Sequence, residues 1–182
     1  MRVLLVNKFG PSANAITGKT ANELAIYLLN QGIDVKFLSI KSKYRSTVKE
    51  EARTIPYEDK QISGIYDGDN GLLRLFFSLL DGFRLYLSSL KIKKDVVIVM
   101  TEPPLLFFWF QLFRNTYKAR LGYWAMDVYP EAFVSSGLTK SNNLAYKLFS
   151  HIVYSNPPDL LIALGEEQRQ YLQTKFKSLN TA

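Results

Sequence analysis

The sequence contains no cysteine and a single histidine, His151. Disulfides and cysteine nucleophiles are therefore excluded, and one histidine cannot by itself form a cluster of imidazole metal ligands. Carboxylates remain as the main side chains for acid–base chemistry, and we expect no metal held by histidine or cysteine and no cofactor. The longest uncharged apolar run, Leu105 to Phe113, is well under the ~20 residues that a membrane-spanning helix needs.

The start of the chain lacks the apolar core of a signal peptide, because Leu4 to Val6 follow Met1 and Arg2 directly and soon reach Asn7. We therefore expect a cytoplasmic protein. At 182 residues and 47% hydrophobic composition, the chain can build one sizeable core, which predicts a single domain over residues 1–182.

The formal charge of +7 favours anionic partners, which are phosphate-bearing ligands, membrane surfaces or nucleic acid. Nucleic acid is the weakest of these, because no helix-turn-helix, RNP or zinc signature accompanies the charge. We expect no nucleic-acid partner.

The middle of the chain predicts a strand, a helix and a second strand in succession. Val96 to Met100 form an apolar run closed by Glu102 and two prolines, Leu105 to Phe113 form an apolar helix, and Arg120 to Met126 form a strand that ends at Asp127. The aromatic residues of the helix cover every side of it, so we expect one edge to face solvent, a partner or lipid.

Apolar spacing predicts strands and helices in alternation along the rest of the chain. Thr20 and Glu23 form a possible capping box for the first helix, and Gly32 occupies the position of a C-cap glycine. The segment from Lys41 to Asn70 is predicted to be mostly a mobile connection. The further predicted strands are Arg2–Asn7, Val35–Ile40, Asp159–Leu164 and a possible short one near Ala52–Pro56, and the helices are Thr20–Gln31, Leu72–Leu90, Asn142–Tyr154 and Glu166–Phe176. Strict alternation predicts an α/β fold with a doubly wound, mainly parallel sheet and helices on both faces.

The segment from Ala13 to Thr20 matches a relaxed phosphate-binding loop with alanine in place of the first glycine. The match is weak, because such a loop turns directly after its strand, whereas Lys8 to Ser12 intervene here. A P-loop-like NTPase is therefore a distant third function. Gly18 and the following helix could instead hold an anion between this domain and another.

Three carboxylates follow predicted strands and are candidate site residues. Ligands bind at the carboxyl ends of parallel strands, where Glu102 and Asp127 are placed, and Glu131 lies a turn beyond Asp127. The alternative is structural: Glu102 belongs to a strand terminator, Asp127 is a turn or cap residue, and Glu131 stabilises a first helical turn.

Several segments together resemble the N-terminal domain of retaining family-4 glycosyltransferases of the two-Rossmann-domain (GT-B) type. They are MRVLLVNKFGPS, the Gly18 loop, ELAIYLLNQGIDVKFLSI, DVVIVMTEPP, WAMDVYPE and PDLLIALGEEQRQYL, in that order. The resemblance implies a Rossmann-like acceptor-binding domain in an enzyme that transfers sugar from a nucleotide-sugar co-substrate, without a metal, in polysaccharide biosynthesis. The acceptor would be a lipid-linked glycan or a polysaccharide.

By this resemblance Gly18 lies near the donor phosphates, Asp127 lies near the reacting sugar, and Glu102 and Glu131 are further acceptor or donor contacts. Many relatives carry histidine where this chain has Met126, so a histidine-dependent proton step is not expected. The donor-binding domain is absent from the sequence, which implies either a truncated chain or a separately encoded donor half as partner. The alternative function is a non-catalytic membrane or protein adaptor that retains the fold.

Basic residues flank the predicted helix over residues 72–90. We expect them to place the protein peripherally on the anionic inner face of the membrane. They are Arg74, Arg84, Lys91, Lys93 and Lys94.

Overall fold

The computed structural model describes residues 1–41, 55–66, 68 and 71–179. Six strands form one sheet in the order β3-β2-β1-β4-β5-β6, and every neighbouring pair is parallel. The strands are β1 (Arg2–Val6), β2 (Asp34–Lys41), β3 (Glu58–Ser63), β4 (Val96–Val99), β5 (Arg120–Ala125) and β6 (Leu160–Ala163). The strand order reverses between β1 and β4, as in a Rossmann-type sheet. The predicted α/β class is confirmed.

The helices cover both faces of this sheet. They are α1 (Ile16–Asn30), α2 (Gly71–Leu90), α3 (Leu106–Leu112), α4 (Glu131–Ser135), α5 (Leu144–Tyr154) and α6 (Glu166–Leu179), with a short 3-10 helix at Arg114–Thr116. Alternate β1 residues enter different cores because successive side chains of a strand point to opposite faces. Val3 and Leu5 pack with Ala21 of α1, whereas Leu4 and Val6 pack in the core that also contains side chains of α2, α3, α5 and α6.

The segment predicted to be a mobile connection contains β3, and this part of the prediction is wrong. Glu58–Ser63 pairs with β2 over six residues, from Lys36 opposite Glu58 to Lys41 opposite Ser63. As a polar edge strand, β3 lacks the apolar alternation that identifies a strand in sequence. The short strand predicted at 52–56 is not found at residues 55 and 56, and its remainder lies outside the described residues.

Helix α1 begins earlier than predicted. Ala15 is its N-cap, and the Thr20 hydroxyl donates a hydrogen bond to the carbonyl of Ile16 at 3.0 Å, so Thr20 lies inside the helix and the predicted capping box is wrong. The predicted C-cap is confirmed, because Gly32 has a φ of 73° and its amide donates to the carbonyl of Leu29. Glycine is common just past the end of a helix because it readily adopts the left-handed backbone conformation that this position requires.

The aromatic side chains of α3 are enclosed, contrary to the expectation that one aromatic edge faces outward. Phe107, Phe108 and Phe110 are buried. Trp109 is partly buried, and its indole nitrogen donates to the carbonyl of Leu79 of α2 at 3.0 Å. On the other side, α5 packs against α3. Two neighbouring helices, α2 and α5, therefore cover the aromatic side chains that the sequence predicts to be partly exposed.

Gly18 lies in the first turn of α1, under the loop that follows β1. A Cβ atom at this position would lie 2.4 Å from the carbonyl oxygen of Gly10 and 3.2 Å from that of Phe9. Backbone atoms cannot move aside cheaply, so we expect Gly18→Ala to lower the free energy of unfolding by about 1–3 kcal/mol, as overpacking does elsewhere. Urea unfolding followed by circular dichroism measures this change.

Gly165→Ala is the matched control, because a Cβ atom there meets no other atom within 4 Å. It should leave the unfolding midpoint nearly unchanged. Equal losses in the two variants would contradict the close approach of α1 to the β1–α1 loop.

Candidate functional site

Three neighbouring strands, β1, β4 and β5, end side by side at the carboxyl edge of the sheet, and polar residues follow each of them. The Lys8 amide donates to the carbonyl of Glu102 at 2.7 Å. The Asp127 amide lies 3.4 Å from the Thr101 hydroxyl oxygen, to which it donates. These two contacts, one between backbone groups and one from the Asp127 amide to the Thr101 side chain, hold Glu102 and Asp127 at the carboxyl ends of the neighbouring strands β4 and β5.

The charged groups that follow these strands are close enough to interact electrostatically. Burial raises the pKa of Glu102, the Lys8 ammonium group opposes this, and the Asp127 carboxylate adds to it. Burial, together with the charges of Asp127 and Glu102, raises the pKa of Tyr129 to about 12. Asp127 itself is exposed, whereas Glu102 is half-buried. We call Lys8, Glu102, Asp127 and Tyr129 the edge cluster.

The edge cluster brings together two carboxylates with different surroundings. The exposed Asp127 can accept a hydrogen bond from a ligand hydroxyl group. The half-buried Glu102, beside the Lys8 ammonium group, is a second polar group that can bind a ligand at this edge.

Sequence reasoning missed two members of the edge cluster, Lys8 and Tyr129, and a buried neighbour, Asn7. The Asn7 amide nitrogen donates to the carbonyl of Phe9 at 3.0 Å, and its Oδ1 atom is buried without a hydrogen-bond partner. The sequence did contain a signal for Asn7 and Lys8, because they are the first polar residues after a buried strand. The same criterion selected Glu102 after β4 and Asp127 after β5.

Glu131 lies in a different set of contacts, between α4, α5 and α6. Its carboxylate accepts from the Tyr154 hydroxyl at 2.7 Å and from the Tyr171 hydroxyl at 3.3 Å, and it pairs with Lys175 Nζ at 3.1 Å. These contacts give Glu131 a structural role. Its predicted contact with a sugar remains a prediction.

Gly18 lies inside α1 instead of in the loop that precedes the helix. The connection between β1 and α1 spans residues 7–15, so Gly18, Lys19 and Thr20 do not follow the strand directly as a phosphate-binding loop would. The N-terminal end of α1 nevertheless opens at the same edge as the edge cluster. The contact of Gly18 with donor phosphates remains a prediction.

The five predicted membrane-contact residues differ in their surroundings. Arg84 donates to a carboxylate oxygen of Asp81 at 2.9 Å and to the carbonyl of Ser63 at 2.7 Å. Lys94 Nζ donates to the carbonyl of Ser89 at 2.6 Å. Arg84 therefore joins α2 to the end of β3, and Lys94 contacts the C-terminal end of α2. The three exposed members of the set are Arg74, Lys91 and Lys93.

Helix α2 also exposes a row of large apolar side chains, here called the α2 stripe. Successive members of the stripe are three, four, seven and three residues apart, and this spacing places them along one side of the helix. The members are Leu73, Phe76, Leu80, Leu87 and Leu90, with exposures from 37% to 55%. Among the described residues, no helix combines the length and the apolar character that crossing a bilayer requires.

Comparison with known proteins identifies a glycosyltransferase relative. No family model matches the sequence. The chain is 31% identical over 108 residues to the probable glycosyltransferase WbjE of Pseudomonas aeruginosa, which covers 58% of this chain and 26% of that protein. The chain therefore matches about a quarter of the length of this relative.

A solved structure, the glycotransferase of kitacinnamycin, aligns with 82% of this chain and 38% of its own, at 11% identity and a TM-score of 0.47. This alignment is too loose to add to the assignment. The similarity to WbjE confirms the predicted resemblance to glycosyltransferases. The all-parallel sheet fits one half of the two-Rossmann-domain architecture.

The environment of Glu102 predicts a pH dependence of stability. Its pKa in the folded protein is raised above the ordinary value of 4.5, chiefly by burial. The stability gained from the protonated group is present below pH 4.5 and is lost as the pH rises through the raised pKa. Glu102→Gln stays neutral, so its stability relative to the unaltered chain should increase across this window.

Urea unfolding from about pH 4 to about pH 7 measures the difference between the two proteins, in which other titrating groups cancel. Glu167→Gln, an exposed site on α6, is the control for the removal of one carboxylate. A Glu102→Gln difference that stays constant with pH would contradict the half-buried environment.

The contacts of Glu131 predict that its replacement lowers the stability of the fold. Glu131→Ala leaves the Tyr154 hydroxyl and Lys175 Nζ without their carboxylate partner, so we expect the free energy of unfolding to fall by about 1–3 kcal/mol. Thermal unfolding monitors the change. Glu167→Ala removes the same charge from an exposed position on α6 and should cost only a few tenths of a kcal/mol; a similar loss there would argue against the contact network.

Proposed function

We propose that this chain is the acceptor-binding half of a glycosyltransferase, which transfers a sugar from a nucleotide-sugar to a lipid-linked or polysaccharide acceptor during cell-surface polysaccharide biosynthesis. The similarity to a probable glycosyltransferase supports the reaction class. The observation that carries the proposal is the edge cluster, which presents an exposed carboxylate and a half-buried one where the strand order reverses.

In this proposal, sugar transfer breaks the bond between the donor anomeric carbon and its phosphate oxygen, and forms a bond from the acceptor oxygen to that carbon. The nucleoside diphosphate leaves with the electron pair of the broken bond, and the acceptor hydroxyl group transfers its proton to the Asp127 carboxylate. Asp127 orients this hydroxyl group and stabilises the positive charge that develops on the sugar. Glu102 and Tyr129 supply further hydrogen bonds to the acceptor, and no metal is used.

The donor is held by a second, donor-binding half, in the same chain or separately encoded, that closes over the carboxyl edge. Three large apolar side chains around this edge support such a partner, because Ile16, Leu144 and Leu164 are 80%, 82% and 64% exposed. Each lies near the carboxyl end of a strand or at the start of a helix on that side of the sheet.

The α2 stripe supports peripheral attachment to the cytoplasmic face of a membrane. Leu73 to Leu90 span roughly 26 Å of helix, which can lie flat in the headgroup region. Arg74, Lys91 and Lys93 are exposed basic residues near the two ends of α2. Each basic residue close to an anionic surface adds about 1 kcal/mol at low salt, so attachment should be reversible by salt.

A non-catalytic adaptor is the second candidate, and the same stripe favours it because membrane binding needs no chemistry at the edge cluster. The two functions differ in what Asp127 does. An adaptor would retain its full effect on polysaccharide assembly when Asp127 is replaced.

The test is turnover after Asp127→Asn, which preserves size and removes the charge. The chain is combined with a donor-binding half, nucleotide sugars and lipid-linked acceptor extracted from membranes, and the product is quantified by mass spectrometry. We expect a loss of about 10²-fold or more with the melting temperature unchanged, in the range of a lost general base.

Asp34→Asn is the control, because Asp34 is an exposed carboxylate at the opposite edge of the sheet. Glu131→Gln should reduce turnover less than Asp127→Asn. Unchanged turnover in Asp127→Asn with a lower melting temperature would make Asp127 a structural cap.

A further inference from the structure

A groove lies at the amino-terminal edge of the sheet, opposite the edge cluster. Its volume is about 330 Å³, and its walls are the loop from α2 to β4 and the loop from the 3-10 helix to β5. This volume falls within the roughly 300–1,000 Å³ of small-molecule pockets and exceeds what a bare inorganic ion requires.

The groove carries positive charge that its own lining does not neutralise. Among the described residues, Lys93, Lys94 and Lys118 line it, and no carboxylate does. The nearest carboxylate in sequence, Asp95, is paired with Arg2 at 2.6 Å. A concave site lined by cations without acidic partners attracts an anion.

Lys94 is the most enclosed of the three lysines. Its ammonium group donates to the carbonyl oxygens of Ser89 and Ile92, at 2.6 Å and 3.4 Å, and burial lowers its pKa. Neutral carbonyl groups fix the position of this charge without cancelling it. An anion in the groove would therefore find a positioned cation at its wall and two exposed lysines, Lys93 and Lys118, at its rim.

The groove adjoins the C-terminal end of the α2 stripe. Leu90 belongs to both, and Leu87 lies one turn earlier on the same helix; they are 41% and 43% exposed. Apolar side chains next to a cationic groove match the boundary between acyl chains and phosphate groups in a bilayer. A soluble anion would give the adjoining leucines no role.

We propose that this groove binds the phosphate group of an anionic membrane lipid, while Leu87 and Leu90 contact the adjacent acyl region. The inference rests on the membrane attachment proposed above and not on sugar transfer. It assigns the lipid contact to Lys93, Lys94 and Lys118, of which Lys118 lies outside the basic cluster that the sequence indicates.

The experiment compares the sedimentation of the whole chain with phosphatidylcholine vesicles that contain or lack phosphatidylglycerol. The groove variant is Lys93→Ser with Lys118→Ser, two exposed residues of the groove. The control is Lys140→Ser with Lys147→Ser, which removes the same charge from exposed positions in the loop before α5 and on α5. A basic residue near an anionic surface contributes about fivefold, so the groove variant should bind at least about tenfold more weakly.

We expect binding only to vesicles with phosphatidylglycerol, a strong loss in the groove variant and little loss in the control. Amide NMR shifts on adding soluble short-chain phosphatidylglycerol should centre on residues 92–94 and 116–119. Equal losses in both double variants would overturn the groove and leave membrane attachment in place. The absence of vesicle binding would overturn both.

Inorganic phosphate is the last arm of the test. Groove shifts as strong with inorganic phosphate as with short-chain phosphatidylglycerol, and no vesicle binding, would mark a site for a free anion and overturn the lipid assignment. None of these outcomes bears on the turnover test of Asp127, so the two proposals fail separately.

Discussion

The hydrogen bond from the Lys8 amide to the Glu102 carbonyl, at 2.7 Å, joins β1 and β4 where the strand order of the sheet reverses. The chain leaves β1 for α1 on one face and β4 for α3 on the other. Crossovers that diverge in this way leave a crevice between the strand ends. The backbone topology therefore sets the location of the edge cluster. The side chains that follow β1, β4 and β5 determine which groups a ligand would meet there.

The acidic residues of this region differ in what packs around them. Asp127 stands exposed at the end of β5, and Glu102 is held half-buried beside Lys8. Glu131, only four residues beyond Asp127, is instead enclosed by Tyr154 and Lys175. Spacing in sequence cannot separate these roles, because the separating contacts come from α5 and α6.

The central strands could be predicted from sequence because they are buried on both faces and their apolar runs are continuous. The edge strand β3 could not, since Glu58–Ser63 has one apolar residue, Ile62, among five polar ones and its identity depends on pairing with β2. Burial of the α3 aromatics depends in the same way on α2 and α5, which no local pattern reveals.

The sequence gives the net charge of the chain but does not show which charged side chains are paired. The sequence places Arg84 and Lys94 among surface cations, whereas Asp81 pairs with the first and backbone carbonyl groups hold the second. Tyr129 was missed because its proximity to Glu102 and Asp127 arises only in the folded sheet, whereas Lys8 could have been found as a polar residue directly after the buried strand β1. Partners distant in sequence thus decide which charged groups remain available to a ligand.

The central claim is that the carboxyl edge of this sheet receives the acceptor and that the nucleotide-sugar is held elsewhere. Amide NMR titration of the chain with an oligosaccharide released from the cell-surface polysaccharide, and separately with a uridine diphosphate sugar, tests it directly. We expect saturable shifts at Lys8, Glu102 and the residues from Asp127 to Tyr129 with the oligosaccharide, and none there with the nucleotide sugar. Shifts at these positions with the nucleotide sugar alone would contradict it.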